Sequence, residues 1–170
     1  ELKAGLVPLI QEISKKPHPD STIFQGDFDI NKQREFCEYL LKYIGFDMKA
    51  GVMGESAHPF TMGFGPRDVR VTNHYRSGKP IDAMFSIIHE GGHGLFEQGI
   101  AEKFEKTDVA NINFMGLHES QSRFYENILG RNIHFWKPIY GKLQELLPQF
   151  KNITLEQFER EINRVVPSFI

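Results

Sequence analysis

The sequence predicts a mainly α-helical fold with a small β-hairpin or sheet set beside one central helix. Three observations carry this. Apolar residues recur at helical spacing over most of the chain. Residues 51–75 instead turn to glycine, proline and alternation. Residues 81–98 are apolar or small on most sides, the mark of an interior helix.

Leu2, Leu6, Leu9, Ile10 and Ile13 make residues 1–15 an amphipathic helix, which Lys16-Pro17-His18-Pro19-Asp20 ends. His18, between two prolines, reads as a loop residue rather than a ligand. A second helix runs from about Ile30 to Ile44, with Asp29 as N-cap and Gly45 at the stop. Its buried stripe is Phe36, Leu40, Tyr43 and Ile44, and Cys37 reads as an ordinary small apolar residue. Asp68-Val69-Arg70-Val71-Thr72 alternates as a half-buried strand does. Gly63 to Arg67 supplies a turn, so Phe60 to Phe64 pairs with it as a hairpin. On such a sheet Arg70 either forms a cross-strand ion pair or faces a ligand. A strand there could also offer backbone groups to an extended peptide.

Ser77-Gly78-Lys79-Pro80 turns into the central helix, and Gln98-Gly99 ends it. This helix carries His89-Glu90-Gly91-Gly92-His93, an H-E-x-x-H motif. Residues i and i+4 share a helix face, so His89 and His93 can direct two imidazoles at one metal ion. Glu90 lies about 100° further round, placed to act on an activated water. Asp82, Ser86, His89, Glu90, His93 and Glu97 form a polar stripe that should face a cleft. Ala83, Ile87, Gly91 and Gly94 form a small-residue side suited to close approach by another helix. Each interior glycine costs roughly 1 kcal/mol relative to alanine, so Gly91, Gly92 and Gly94 mark close packing or room for metal and substrate. The alternative is a pair of buried histidines hydrogen-bonded within a core.

Residues 100–112 are weakly patterned. A helix from about Phe114 to Leu129 follows, burying Leu117, Phe124 and Ile128 and gathering Glu119, Ser122, Arg123 and Glu126 on a polar face. A catalytic zinc takes three protein ligands and keeps one position open, and Glu119 is the best third beside His89 and His93. The competing reading is a Glu119–Arg123 ion pair on a solvated face. His118 points about 100° away on the wheel and is not read as a ligand. Glu126 is either a rival ligand or a carboxylate that orients a ligand histidine. Residues 133–147 form an aromatic-rich helix that Pro138 starts or kinks, with His134 and Trp136 in packing roles. The last helix, Asn152 to Val166, opens on the capping box Thr154-Leu155-Glu156-Gln157.

With 20 basic and 22 acidic residues, the net charge of −2 gives no field that steers the protein to nucleic acid or an anionic membrane. Cys37 is the single cysteine, which excludes an intramolecular disulfide and fits a reducing, cytoplasmic setting. No apolar run approaches the roughly 20 residues that span a bilayer. Residues 1–170 are expected to form a single domain, taken from the middle of a longer protein.

Together the motifs resemble the carboxypeptidase Taq family of metallocarboxypeptidases. Four stretches match in order: His58-Pro59-Phe60, Asp68-Val69-Arg70-Val71-Thr72, His89-Glu90-Gly91-Gly92-His93 and His118-Glu119-Ser120-Gln121-Ser122-Arg123. Many metallopeptidases share H-E-x-x-H, whereas H-E-S-Q-S-R behind H-P-F and D-x-R-x-T is far more specific. The resemblance implies zinc (or cobalt or manganese) held by His89, His93 and Glu119, with Glu90 as general base. It also implies a helical metallopeptidase core, a homodimer when complete, and stepwise removal of C-terminal residues from peptides. His58 and Arg70 are read as positioning substrate or stabilising the oxyanion. This chain departs from the family pattern at Gly54, where relatives carry aspartate, and lacks the family's later Q-D-x-H-W-like segment. Two other readings stay open: a different zinc peptidase, or a non-enzymatic module whose site His118 or Glu126 closes as fourth ligand.

Overall fold

The computed structural model of the chain describes residues 1–17, 24–110 and 114–164, so His18 lies outside the described residues. The fold is helical around a small sheet, as the patterning predicts. Helix α1 spans Leu2–Ser14 and α2 spans Ile30–Tyr43, where Asp29 accepts a hydrogen bond from the Lys32 amide at 2.9 Å as N-cap. Gly45, at φ +101°, makes the left-handed turn that stops α2. Phe36 and Leu40 are buried as predicted, together with Gln33, Cys37 and Leu41. Tyr43 sits at the exposed edge instead.

The sheet has three strands rather than a hairpin alone. β1 (Gly51–Glu55) runs parallel to β3 (Val69–Asn73), and β2 (Thr61–Gly63) runs antiparallel to β3 on its other side. The β2–β3 turn falls where the sequence places it, with Gly65 at φ +147°. Val69 and Val71 face inward and Arg70 outward, which is the period of two. Arg70 pairs with Asp68 of its own chain segment, at 2.9 and 2.8 Å, and not across strands. Residues i and i+2 share a strand face, so the nearest carboxylate is the neighbouring one on the same side.

Helix α3 (Pro80–Gln98) crosses this sheet. Proline opens it, where the missing N–H leaves nothing unsatisfied, and the Gly99 amide closes it on the Leu95 carbonyl at 2.9 Å. Val69 and Val71 of the sheet, Phe36, Leu40 and Leu41 of α2, and Ala83, Met84, Ile87 and Ile88 of α3 share one core. Buried polar groups fasten its edges: the Asn73 amide donates to the Ala83 carbonyl at 2.9 Å, and Gln33 donates to the carbonyls of Phe28 and Arg76 at 3.0 Å each.

Helix α4 (Met115–Arg123) passes into a π-helical segment, Phe124–Leu129. The expected burial of Leu117, Phe124 and Ile128 is corrected here, because all three are exposed, Leu117 at 57% and Ile128 at 62%. This helix docks on α3 through its polar face, so the fully buried residue is Ser122 and the apolar stripe faces out. Beyond it the single helix expected over 133–147 is broken at Lys137–Ile139 into α5 (Ile133–Trp136) and α6 (Tyr140–Leu146). The chain around Pro138 cannot continue the hydrogen-bond ladder. Helix α7 (Leu155–Ile162) opens on the predicted Thr154/Gln157 capping box, later than the expected start because Pro148–Asn152 forms a 3-10 turn. Trp136 stacks edge-on to Phe158 at 4.8 Å and donates its indole N–H to the Gly130 carbonyl at 2.6 Å, so its packing role holds. The apolar stripe of α1 is exposed along its length. No helix among the described residues is long and apolar enough to cross a membrane.

Candidate metal centre

The glycines of α3 explain how the centre is assembled. A Cβ on Gly92 would meet the Ser122 Cα of α4 at 2.7 Å, so only glycine lets the two helices approach this closely. A Cβ on Gly91 would meet the side chains of Ile44 and Leu41, and one on Gly94 the Phe46 ring. Neighbours therefore press on two sides of one helix, α4 at Gly92 and the side chains of Leu41, Ile44 and Phe46 on the face that Gly91 and Gly94 share. The contact through Gly92 brings Glu119 over the histidines: its Oε2 lies 3.6 Å from His89 Nε2 and 3.2 Å from His93 Nε2.

These three residues form a group with one donor atom each, within 4.8 Å of one another. Ligand atoms placed tetrahedrally at zinc–N and zinc–O distances sit roughly 3.3 Å apart, close to the 3.6 and 3.2 Å that separate Glu119 Oε2 from the two imidazoles. Two imidazoles and a carboxylate are also the donor types of a catalytic site that leaves a position open.

Each histidine is held by its other nitrogen. His89 Nδ1 lies 2.8 Å from Glu126 Oε2, and a hydrogen on Nδ1 leaves Nε2 free to face the centre. His93 Nδ1 lies 2.5 Å from His118 Nδ1, and His118 Nε2 lies 2.7 Å from Glu97 Oε1. One tautomer satisfies the whole chain: His93 Nδ1–H donates to His118, and His118 Nε2–H donates to Glu97. His118 thus stands behind a histidine and not inside the group, a partnership the sequence reading missed. A hint was available in Glu97, which shares the polar stripe of His89 and His93.

Glu119 makes both contacts that the sequence posed as competing. Its Oε2 faces the histidines while its Oε1 accepts from Arg123 Nε at 2.7 Å. Arg123 also donates to Glu126 Oε2 at 3.1 Å, so one guanidinium joins the two carboxylates. Burial works against ionisation of Glu119, but Arg123, His89 and Ser122 outweigh it and hold the carboxyl below its usual range. Burial pushes His93 down to about 4, helped by the neighbouring His89 and His118, so it is a neutral imidazole near pH 7. For His89 burial also lowers the pKa, yet the hydrogen bond and charge of Glu126 raise it overall.

Glu90 is buried, at 8% exposure, and burial raises its carboxyl pKa while a hydrogen bond from Thr61 opposes the rise. It lines, with His58, His89, Arg123 and Glu126, a cleft of about 1060 Å³ that runs on to Arg131, Glu161 and Arg164. His58 stands at this cleft with its ring turned to the Pro59 carbonyl at 2.8 Å. Arg70 does not line the cleft; it lies on the exposed sheet face against Phe64.

The sequence model of the carboxypeptidase Taq (M32) metallopeptidases matches residues 1–170. Carboxypeptidase 1 of Bacillus subtilis is 43% identical over 172 residues, covering 100% of this chain and 34% of that protein. Thermostable carboxypeptidase 1 of Thermus thermophilus is 36% identical, again over 100% of this chain and 34% of the relative. The crystal structure of the M32 carboxypeptidase from Deinococcus radiodurans superposes with a TM-score of 0.92 at 34% identity, covering 98% of this chain and 34% of that one. The chain therefore spans about a third of the length of the curated relatives it matches. With the family model matching its whole length, the chain belongs to the carboxypeptidase Taq (M32) family of metallopeptidases.

Proposed function

We propose that this chain supplies the metal centre of a cytoplasmic metallocarboxypeptidase, homodimeric when complete, that hydrolyses the C-terminal peptide bond of peptides. The observation that carries the reading is the convergence of His89 Nε2, His93 Nε2 and Glu119 Oε2, each backed by its own hydrogen-bond partner, beside the buried carboxylate of Glu90. His89, His93 and Glu119 hold a divalent ion, zinc by donor type, with cobalt or manganese as alternatives. When bound, the ion supplies Lewis acidity, polarising the scissile carbonyl and acidifying the attacking water.

Glu90 then accepts the proton of that water and passes it to the leaving amine, which departs as the free C-terminal amino acid. Its burial in the cleft wall suits this, because a carboxylate with a raised pKa is a stronger base than one in water. The position of His58 on the cleft wall supports a role for it in contacting the peptide; Arg70, already paired with Asp68, is the weaker candidate for that role. His118 and Glu126 spend their bonds on the Nδ1 atoms, which argues against a site closed by a fourth protein ligand.

The test is Glu90→Gln in the complete protein. One equivalent of metal retained, with release of C-terminal residues lowered about 10²- to 10⁴-fold, is the expected result. Undiminished turnover would remove Glu90 from its role, and cleavage at internal bonds in the unmodified protein would favour a different zinc peptidase.

A further inference from the structure

We infer that Thr61 is the positioning residue for Glu90, and that the H-P-F and D-x-R-x-T stretches act mainly to hold Thr61 in place. The inference rests on the reading of Glu90 as general base. Thr61 opens β2 and reaches across to α3, where its Oγ1 lies 2.7 Å from Glu90 Oε2 and 3.0 Å from the Glu90 carbonyl oxygen. Among the described residues no other side chain hydrogen-bonds this carboxylate. A glutamate has three side-chain torsions, and a base must sit within about 2.6–3.2 Å of the proton it takes. A hydroxyl that engages Oε2 removes much of that freedom and leaves Oε1 for the water.

Thr61 can do this because its own backbone is fixed from behind. The Thr72 hydroxyl accepts from the Phe60 amide at 2.9 Å and contacts the Ser56 hydroxyl at 2.7 Å, while the Thr72 amide donates to the Phe60 carbonyl at 2.9 Å. Thr72 ends D-x-R-x-T and Phe60 ends H-P-F, immediately before Thr61. The pairing of Thr61 with Val71 in the sheet adds the last restraint. Three separate motifs are thus one mechanical path, from the central strand to the base: Thr72 holds Phe60, Phe60 sets Thr61, and Thr61 sets Glu90.

Kinetics on the complete protein test this. Thr61→Val keeps the branched shape and removes the donor, and it is expected to lower kcat about 10- to 100-fold, with KM and metal content unchanged. Thr61→Ser restores the hydroxyl and is expected to recover kcat to within about threefold. In a Glu90→Gln background Thr61→Val should cost little more, because the residue it positions is already disabled. Should the valine variant lose metal, Thr61→Ala opens space without adding an apolar contact and carries the same expectation. Wild-type kcat in either variant, or an equal loss in Thr61→Ser, would overturn the role of Thr61. Full activity in Glu90→Gln alone would overturn the reading of Glu90 and this inference with it, whereas an inactive Glu90→Gln beside a fully active Thr61→Val would overturn Thr61 alone.

Discussion

His89 and His93 face the same centre but lean on different partners, one on the carboxylate of Glu126 and the other on the imidazole of His118. An imidazole held by its far nitrogen is a better-aimed ligand, and losing such a partner typically weakens metal binding 10- to 100-fold. His118→Phe in the complete protein is therefore expected to weaken metal affinity by about that factor, read by competition with a chelator. Unchanged affinity would mean that packing alone orients His93. The contact of Glu126 with His89 was legible in the sequence as one of two readings, a rival ligand or an acceptor for a histidine, because it shares a face with Glu119. His118 was not, because a helical wheel gives a residue's angle within its own helix and says nothing of which way the next helix leans. The same limit hid Thr61, whose partner lies 29 positions away.

At the scale of elements, the contact between α3 and α4 decides whether the centre exists. Gly92→Ala places a Cβ against the Ser122 backbone, which cannot swing aside. The expected cost is about 1–3 kcal/mol of stability in denaturant unfolding, together with weaker metal binding as Glu119 is pushed from the histidines. Gly91→Ala meets only the tips of Leu41 and Ile44, so it should leave metal affinity nearer the original value. If both variants bound metal like the parent, the Gly92 contact would not be what sets the site. Helix α3 was legible because its stripes, opening proline and closing glycine are all local signals. β1 was not: Gly51-Val52-Met53-Gly54-Glu55 contains two glycines and becomes a strand only by parallel pairing with residues 69–73. The α4 stripe misled for a related reason, since polar groups that serve a centre took the inner face that apolar ones normally occupy.

Across the whole molecule, the core joins the sheet, α2 and α3 to the aromatic cluster of Trp136, Phe150 and Phe158, and it leaves the stripes of α1 and α4 open. The three glycines of α3 bear on how such a molecule comes together in time. Interior glycines lower helix stability by roughly 1 kcal/mol each, and most helical stability in proteins comes from packing against neighbours rather than from propensity. A synthetic peptide of residues 80–98 is accordingly expected to show little helical circular dichroism in water; a strongly helical spectrum would contradict this. The segment that bears both histidines is then expected to take its helical shape only as α2, the sheet and α4 pack against it. An ion arriving before that moment meets two imidazoles on a loose chain and a carboxylate far away, so metal loading is expected to be linked to folding, with added metal raising the stability of the folded chain.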